Sequence, residues 1–367
     1  MSTILLLGGT GAMGVYLAEI LVGMGHRVYV TTRRARPDGT VTYLQGNAHD
    51  DAFLRGCVDR VRPDAIVDFM VYSTDEFRAR VPFLLQSSGH YLFLSSYRVH
   101  AEEVPLSETS PRLLDVCQNE AYLQTDEYGL TKARQEDLIR VTAKDGQRWT
   151  IIRPAITYSK ARFQFGVLEA GVVCWRALRG LPLPMPCEML AKRTSMTWGR
   201  DVATMIARLI LNPKAYGEAF LTATAESHTW REVFDIYHGA LGATLLECSL
   251  DDYVRMTESP WQIRYDRMFD RVVDNSKVLA ATGLTQADLA PLSVALSREL
   301  AGFRANPSIV PENRVTSIRM DAILGLPPQK GLTLIERLLY LKARHPLVAG
   351  LVPQRSMHWI YRQLTRR

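Results

Sequence analysis

Residues 4–14 read ILLLGGTGAMG, an apolar run that breaks into a cluster with glycines at 8, 11 and 14. The run TILLL (3–7) has the composition of a parallel strand buried on both faces. After Gly14 comes VYLAEILVGMGH (15–26), whose Leu17, Ile20, Leu21 and Met24 recur at helical spacing. HRVYVTT (26–32) then reads as a second strand. Strand, glycine turn, helix and strand make one βαβ unit, and in that setting each glycine has its own task. Gly8 permits the tight turn, Gly11 lets the backbone approach a pyrophosphate, and Gly14 lets helix and strand pack closely. A pyrophosphate held there meets the free N–H groups and the positive end of the helix dipole. The stretch therefore reads as a dinucleotide-binding turn, against the plainer alternative of an ordinary tight turn.

The 367 residues suit one large domain, or a core domain with a smaller one. A hydrophobic fraction of 47% and a charged fraction of 22% are ordinary for a globular chain. The net charge of +6 is mild and fits an acidic ligand without selecting one. Five cysteines, at 57, 117, 174, 187 and 248, form no CxxC pair and no metal-ligand spacing. They read as reduced thiols of a cytoplasmic protein, most of them packed inside. The eight histidines are scattered, so no metal site is expected. Met1, Ser2 and Thr3 lead into the first strand without signal-peptide features, and no run of about 18 apolar residues predicts a membrane span.

The spacing GxxGxxG in GGTGAMG resembles the nucleotide loop of the extended, epimerase-like branch of the short-chain dehydrogenase/reductase superfamily. Further landmarks carry the resemblance over about residues 3–300. VTYLQGNAHDDAFL (41–54) resembles the third strand and the adenine-side segment, with Asn47 where the family usually has Asp. PDAIVDFMV (63–71) resembles the fourth strand, with Met70 and Val71 where small residues are usual. HYLFLSSYRVH (90–100) resembles the fifth strand and its SSxxVYG, with His100 for Tyr; WTIIRPAITY (149–158) resembles the sixth, with Ser159 following where Gly is usual. TSMTWGRDVATMIARLILNP (194–213) and DNSKVLAATGL (274–284) resemble the later return segments.

The implied fold is α/β, a Rossmann-type doubly wound parallel sheet with a smaller C-terminal substrate-binding region. The segments expected are a dinucleotide-binding core over 1–160, a mixed region over 161–303 that returns to the core and forms the substrate lobe, and a basic helical extension over 304–367. From Lys342 onward that extension has Lys or Arg at 342, 344, 355, 362, 366 and 367 and no acid. It reads as a packed helix with a solvated basic tail, or as a contact for an anionic surface.

Tyr128 and Lys132, in EYGLTKARQEDLI (127–139), lie four apart on an expected helix and so share one face. They match the family's YxxxK pair. A phenol titrates near pH 10, and a neighbouring ammonium would favour its phenolate. The resemblance implies that Tyr128 exchanges a proton while a nicotinamide exchanges a hydride. Lys132 is expected to orient the nicotinamide ribose, and Ser96, with Ser95 as the near alternative, to hold the substrate oxygen.

The cofactor residues expected are Gly8, Thr10, Gly11, Ala12, Met13 and Gly14 in the turn, with Asn47, Ala48, Phe69, Met70, Tyr128, Lys132 and Pro154 around it. Strand two ends in VTTRRARPDG (30–39), where Thr31, Thr32, Arg33 and Arg34 stand with no acid among them, which favours NADP over NAD. In this branch the substrate is a nucleoside-diphosphate sugar, whose diphosphate calls for Arg. Arg264, thirteen residues before Lys277, stands at about the family offset, and Arg193 is a second candidate. Tyr97-Arg98 replaces the Asp-Glu pair of the dehydratases, leaving epimerisation or simple reduction. A reductase of another small carbonyl compound and a non-catalytic RNA- or cofactor-binding relative are the alternatives. By analogy the chain forms a homodimer, and no nucleic-acid partner is expected.

Overall fold

The computed structural model describes residues 1–37 and 39–345. Strands β1 (Thr3–Leu7), β2 (Arg27–Thr32), β3 (Val41–Gln45), β4 (Ala65–Asp68), β5 (His90–Leu94) and β6 (Trp149–Ile152) stand in the order β6-β5-β4-β1-β2-β3. A seventh strand, Glu218–Phe220, extends the sheet beyond β6. Every neighbouring pair is parallel, with Leu5 opposite Tyr29 on one side and Ile66 on the other. The strand order reverses between β1 and β4, which opens a crevice at their carboxyl ends.

Side chains alternate across a strand, so each strand feeds two cores. Ile4, Leu6, Val28, Val30 and Val67 pack with Leu17 and Leu21 of α1 (Gly14–Gly23) and with Val202 and Ile206 of the Gly199–Leu209 helix. Leu5, Leu7, Ile66, Tyr91 and Phe93 pack with Leu54 of α2 (Asp51–Val61), Phe77 and Val81 of α3 (Thr74–Gln86) and Ile139 of the Tyr128–Thr142 helix. All five residues of β1 are buried, which is why its run is apolar without alternation. Each fully buried Leu or Ile contributes about 1.5–3 kcal/mol over an exposed one.

WTIIRPAITY is not one strand. β6 stops at Ile152, and Pro154 has no N–H with which to continue a ladder. Ile156–Tyr158 beyond it pairs instead with Met196–Trp198.

The chain forms two compact units, each discontinuous in sequence. Met1–Arg162, Arg193–His228 and Phe269–Glu299 make the first. Phe163–Lys192, Thr229–Met268 and the described residues from Leu300 on, 300–345, make the second. The units interleave where consecutive segments divided at 160 and 303 were expected, because residues 193–228 return to supply the seventh strand of the sheet.

In the second unit Leu183–Pro186 pairs in parallel with Leu245–Cys248, and Phe165 packs among Trp230, Phe234 and Tyr237. Its Leu334–Arg344 helix opens on a capping box of Thr333 and Glu336. Of the C-terminal cations, Lys342 and Arg344 lie on this helix, and Arg355, Arg362, Arg366 and Arg367 fall outside the described residues. Only Cys57 and Cys174 are fully buried; Cys187 is exposed and Cys117 and Cys248 are half-buried, so fewer thiols are inside than expected. No helix among the described residues is long and apolar enough to cross a membrane.

Candidate active site

The glycine turn lies between β1 and α1. Gly8 has φ +70°, a left-handed conformation that side chains resist, and its N–H donates to Thr31 Oγ1 at 2.9 Å. A Cβ on Gly14 would stand 2.4 Å from the carbonyl oxygen of Gly9, whereas a Cβ on Gly11 would meet nothing within 4 Å. Helix α1 therefore sits hard against the turn, and open space faces Gly11. The N-terminus of α1 has no side-chain cap and no acid in its first turn. A helix start left this way suits an anion, since no side chain caps it and no acid opposes the positive end of its dipole. These observations fit the pyrophosphate of a dinucleotide.

A cleft of about 230 Å³ opens beside the turn. Of the expected cofactor residues, Gly8, Thr10, Arg33, Asn47, Ala48, Phe69 and Met70 line it. Arg34 does not; it is exposed, and its N–H donates to Thr32 Oγ1 at 3.3 Å. Asn47 Oδ1 accepts from His49 N–H at 3.2 Å. The large Met70 is accommodated because Gly8 opposite it has no side chain; a Cβ there would lie 2.8 Å from Met70 Sδ. Thr31, Thr32, Gly46 and His49 also line the cleft and were not singled out as cofactor residues in the sequence, and Val71, noted there for its size, lines it too. The two threonines stand in the very stretch read for its missing acid.

Ala12 and Met13 meet the segment after β6, and Pro154 meets the turn after β5. Ser159 Oγ donates to the carbonyl of Ala12 at 2.9 Å, and Thr157 Oγ1 lies 3.9 Å from Met13 Sδ. Pro154 O accepts from Tyr97 N–H at 3.1 Å.

Tyr128 opens its helix, with Glu127 as N-cap accepting from Gly129 N–H at 2.7 Å. Lys132 lies one turn on, its Nζ 5.9 Å from the centre of the Tyr128 ring, so the two share a face. Lys132 is buried, with its Nζ 4.5 Å above the Phe93 ring, and burial pushes its ammonium down to about 8 against the pull of Asp68 and Glu136. Asp68 is buried as well and is raised by burial, although Tyr91 OH donates to it at 2.9 Å.

The surroundings of the phenol include more than Lys132. Burial raises Tyr128 above its ordinary value; the opposing cations are Arg98 first and then Arg162, and Glu127 adds to the rise. Lys132 Nζ lies nearer the Phe93 ring centre, at 4.5 Å, than that of Tyr128, at 5.9 Å. Tyr128 is 36% exposed, so solvent moderates the size of this rise without changing its direction.

Ser95 Oγ donates to Glu136 at 2.6 Å inside a buried network in which Arg153 grips both oxygens of Glu136. Ser96 Oγ accepts from Arg98 N–H at 3.3 Å, a contact that leaves its own proton to donate elsewhere. His100 is buried, with its Nδ1 at 2.9 Å from the Ser110 carbonyl and its Nε2 at 3.1 Å from Arg153, and burial drives it down to about 3.

Arg193 is engaged with Ser227, its Nε at 3.0 Å from Oγ, and pins two loops of the first unit. Arg264 belongs to the second unit and is exposed, with its guanidinium 5.4 Å from the Tyr265 ring centre. Among the described residues no group of His, Cys, Asp or Glu is arranged to hold a metal ion.

The sequence model for the NAD dependent epimerase/dehydratase family matches residues 4–221. The 2'-dehydrokanamycin reductase of Streptomyces kanamyceticus is 26% identical over 284 residues, which cover 73% of this chain and 76% of that protein. The chloroplast stem-loop binding protein of 41 kDa b of Arabidopsis thaliana is 25% identical over 238 residues, 59% of this chain and 57% of that one. In the solved structure of the UDP-glucose 4-epimerase of Thermus thermophilus with NAD, the fold matches with a TM-score of 0.62 at 19% identity, over 83% of this chain and 99% of that one.

Proposed function

The chain belongs to the NAD dependent epimerase/dehydratase family, in the extended short-chain dehydrogenase/reductase superfamily, and from that premise we propose that it is an NADP-preferring epimerase or reductase acting on a carbinol or keto carbon of a nucleotide sugar. The observation that carries this reading is the Tyr128–Lys132 pair on one helix face, 5.9 Å between ammonium and ring, in the same unit as the uncapped glycine turn.

Bound nicotinamide supplies hydride donation and acceptance at the reacting carbon. The chain's own groups supply the rest. Ser96 donates a hydrogen bond to the substrate oxygen. Tyr128 gives that oxygen a proton on reduction and takes one on oxidation. Lys132 holds the ribose hydroxyls of the cofactor. The first turn of α1 and Thr10 hold the pyrophosphate, and Asn47 and Ala48 flank the adenine.

Arg33 lines the cleft at the end of β2, where no acid stands to meet a ribose hydroxyl. It is the group we assign to a 2′-phosphate. Arg33→Ala is expected to weaken NADP(H) about tenfold or more, the scale of one charge-assisted contact, with little effect on NAD(H). Calorimetric titration with both cofactors checks this, and an equal loss for the two would remove the assignment.

Arg264 rather than Arg193 is the proposed diphosphate ligand, since Arg193 is already engaged with Ser227. Arg264→Ala is expected to raise the Kd of a plain nucleoside diphosphate roughly ten- to a hundredfold. Wild-type protein that binds no nucleoside diphosphate at millimolar concentration would sink the nucleotide-sugar reading. A reductase of another small carbonyl compound would then stand in its place, a reading favoured by the relative that is named as a reductase.

A further inference from the structure

Arg98 follows Ser96 by two residues and lies in the short 3-10 turn Tyr97–Val99 after β5. Its guanidinium lies 5.2 Å from the centre of the Tyr128 ring, nearer than the Lys132 ammonium at 5.9 Å. Arg98 is 15% exposed and paired with Glu127, which is 12% exposed. Glu127 is in turn fixed by Gly129 N–H at 2.7 Å and by Tyr122 OH at 3.3 Å. The turn and the helix start are pressed together, since a Cβ on Gly129 would stand 2.6 Å from the carbonyl oxygen of Arg98. A cation held by two elements over one face of a phenol ring is a built arrangement, unlike a surface arginine free to swing.

We propose that Arg98 is the positioning cation of this site: held by Glu127 over the Tyr128 ring, it stabilises the phenolate. In this chain Arg98 joins Lys132 in that task and lies nearer the ring. Lys132 Nζ lies 4.5 Å from the Phe93 ring centre, and Asp68 and Glu136 favour its charged form. The groups facing Tyr128 are Arg98 from the turn after β5, Arg162 from the loop after the Ile156–Tyr158 strand, and Glu127 and Lys132 from its own helix. Arg98 and Arg162 favour the phenolate and Glu127 opposes it, with Arg98 the strongest of the cations. The inference rests on the proposed acid–base role of Tyr128, but the interaction exists without any substrate.

The test uses the full chain labelled at tyrosine Cζ with ¹³C, free of cofactor and substrate. The Tyr128 resonance is assigned by its loss in Tyr128→Phe and followed against pH by NMR. Arg98→Met is expected to raise the Tyr128 pKa by about one unit or more, the shift typical of losing an opposite charge within 4–6 Å. Arg98→Lys should restore most of that difference. Titration of Arg98→Met together with wild type would overturn the proposal. If Arg98→Met fails to fold by circular dichroism, Arg98→Gln decides: a raised Tyr128 pKa supports the proposal and a wild-type titration overturns it. Failure of the functional reading is distinguishable. A shifted Tyr128 titration in a protein that turns over no nucleotide sugar leaves Arg98 in this role and removes the substrate assignment.

Discussion

Tyr128→Phe is expected to lower the turnover rate by about 10²–10⁴-fold, the range for a lost general acid or base, and to leave dinucleotide affinity nearly unchanged. The ring remains, so Arg98 keeps an aromatic face 5.2 Å away and the helix keeps its start at residue 128. Only the proton-carrying hydroxyl is removed. Direction matters for the pH profile. Burial holds Tyr128 above the usual phenol value, so near neutrality the hydroxyl carries its proton. That is the form needed to donate to a carbonyl oxygen. Reduction should therefore run at a level rate through neutral pH and fall only as the phenol ionises, while oxidation should climb with pH toward the same limit. Steady-state rates in both directions over pH 6–11 check this, with Tyr128→Phe flat in both. A variant that keeps more than about a tenth of the wild-type rate would take Tyr128 out of the proton-transfer role.

Local patterns in the chain announced much of the sheet and part of the site. The β1 run, the three glycines and the Tyr128–Lys132 spacing are each set by neighbours a few residues away, and periodicity reports such neighbours. What the spacing could not report is where a side chain turns once its helix is packed. Residues 128 and 132 share a face as their separation requires, yet the Lys132 ammonium goes to Phe93, which lies on β5. Arg98 escaped notice for a related reason. It was read as a missing Asp-Glu pair, while its partner Glu127 is 29 residues further on and meets it only because the turn after β5 lies against the start of the Tyr128–Thr142 helix. Ser159 likewise stood out as a missing glycine. Its hydroxyl grips Ala12, 147 residues earlier. The interleaving of the two units has the same origin, because a segment such as 193–228 shows its allegiance only through the strand it lends to the sheet.

That grip on the turn makes Gly14→Ala the second large expected effect. The added methyl would stand 2.4, 2.5 and 2.6 Å from the O, C and Cα of Gly9, all backbone atoms. Gly9 cannot retreat, since it is pressed on Leu6 of β1, where even a Cβ on Gly9 would come within 2.7 Å. Nor can the far side of the turn give way. Ala12 O is held by Ser159 Oγ at 2.9 Å and faces Gly199 so closely that a Cβ there would lie 2.6 Å off. The helix is fixed in turn by Leu17 and Leu21, both fully buried. Relief requires a shift of α1 or of the turn, a strain of about 1–3 kcal/mol in a packed core. A turn displaced from its N–H groups loses the anion they receive, so dinucleotide affinity should fall by up to about a hundredfold, and thermal stability should fall with it. Gly11→Ala supplies the contrast. Its methyl meets no atom within 4 Å, so stability should hold while binding falls, because the methyl occupies the space the ligand needs. Calorimetric titration and thermal unfolding of the two variants separate a glycine kept for packing from a glycine kept for a ligand. Wild-type binding by Gly14→Ala would mean that the turn relaxes freely, and the dinucleotide assignment of residues 8–14 would lose its geometric basis.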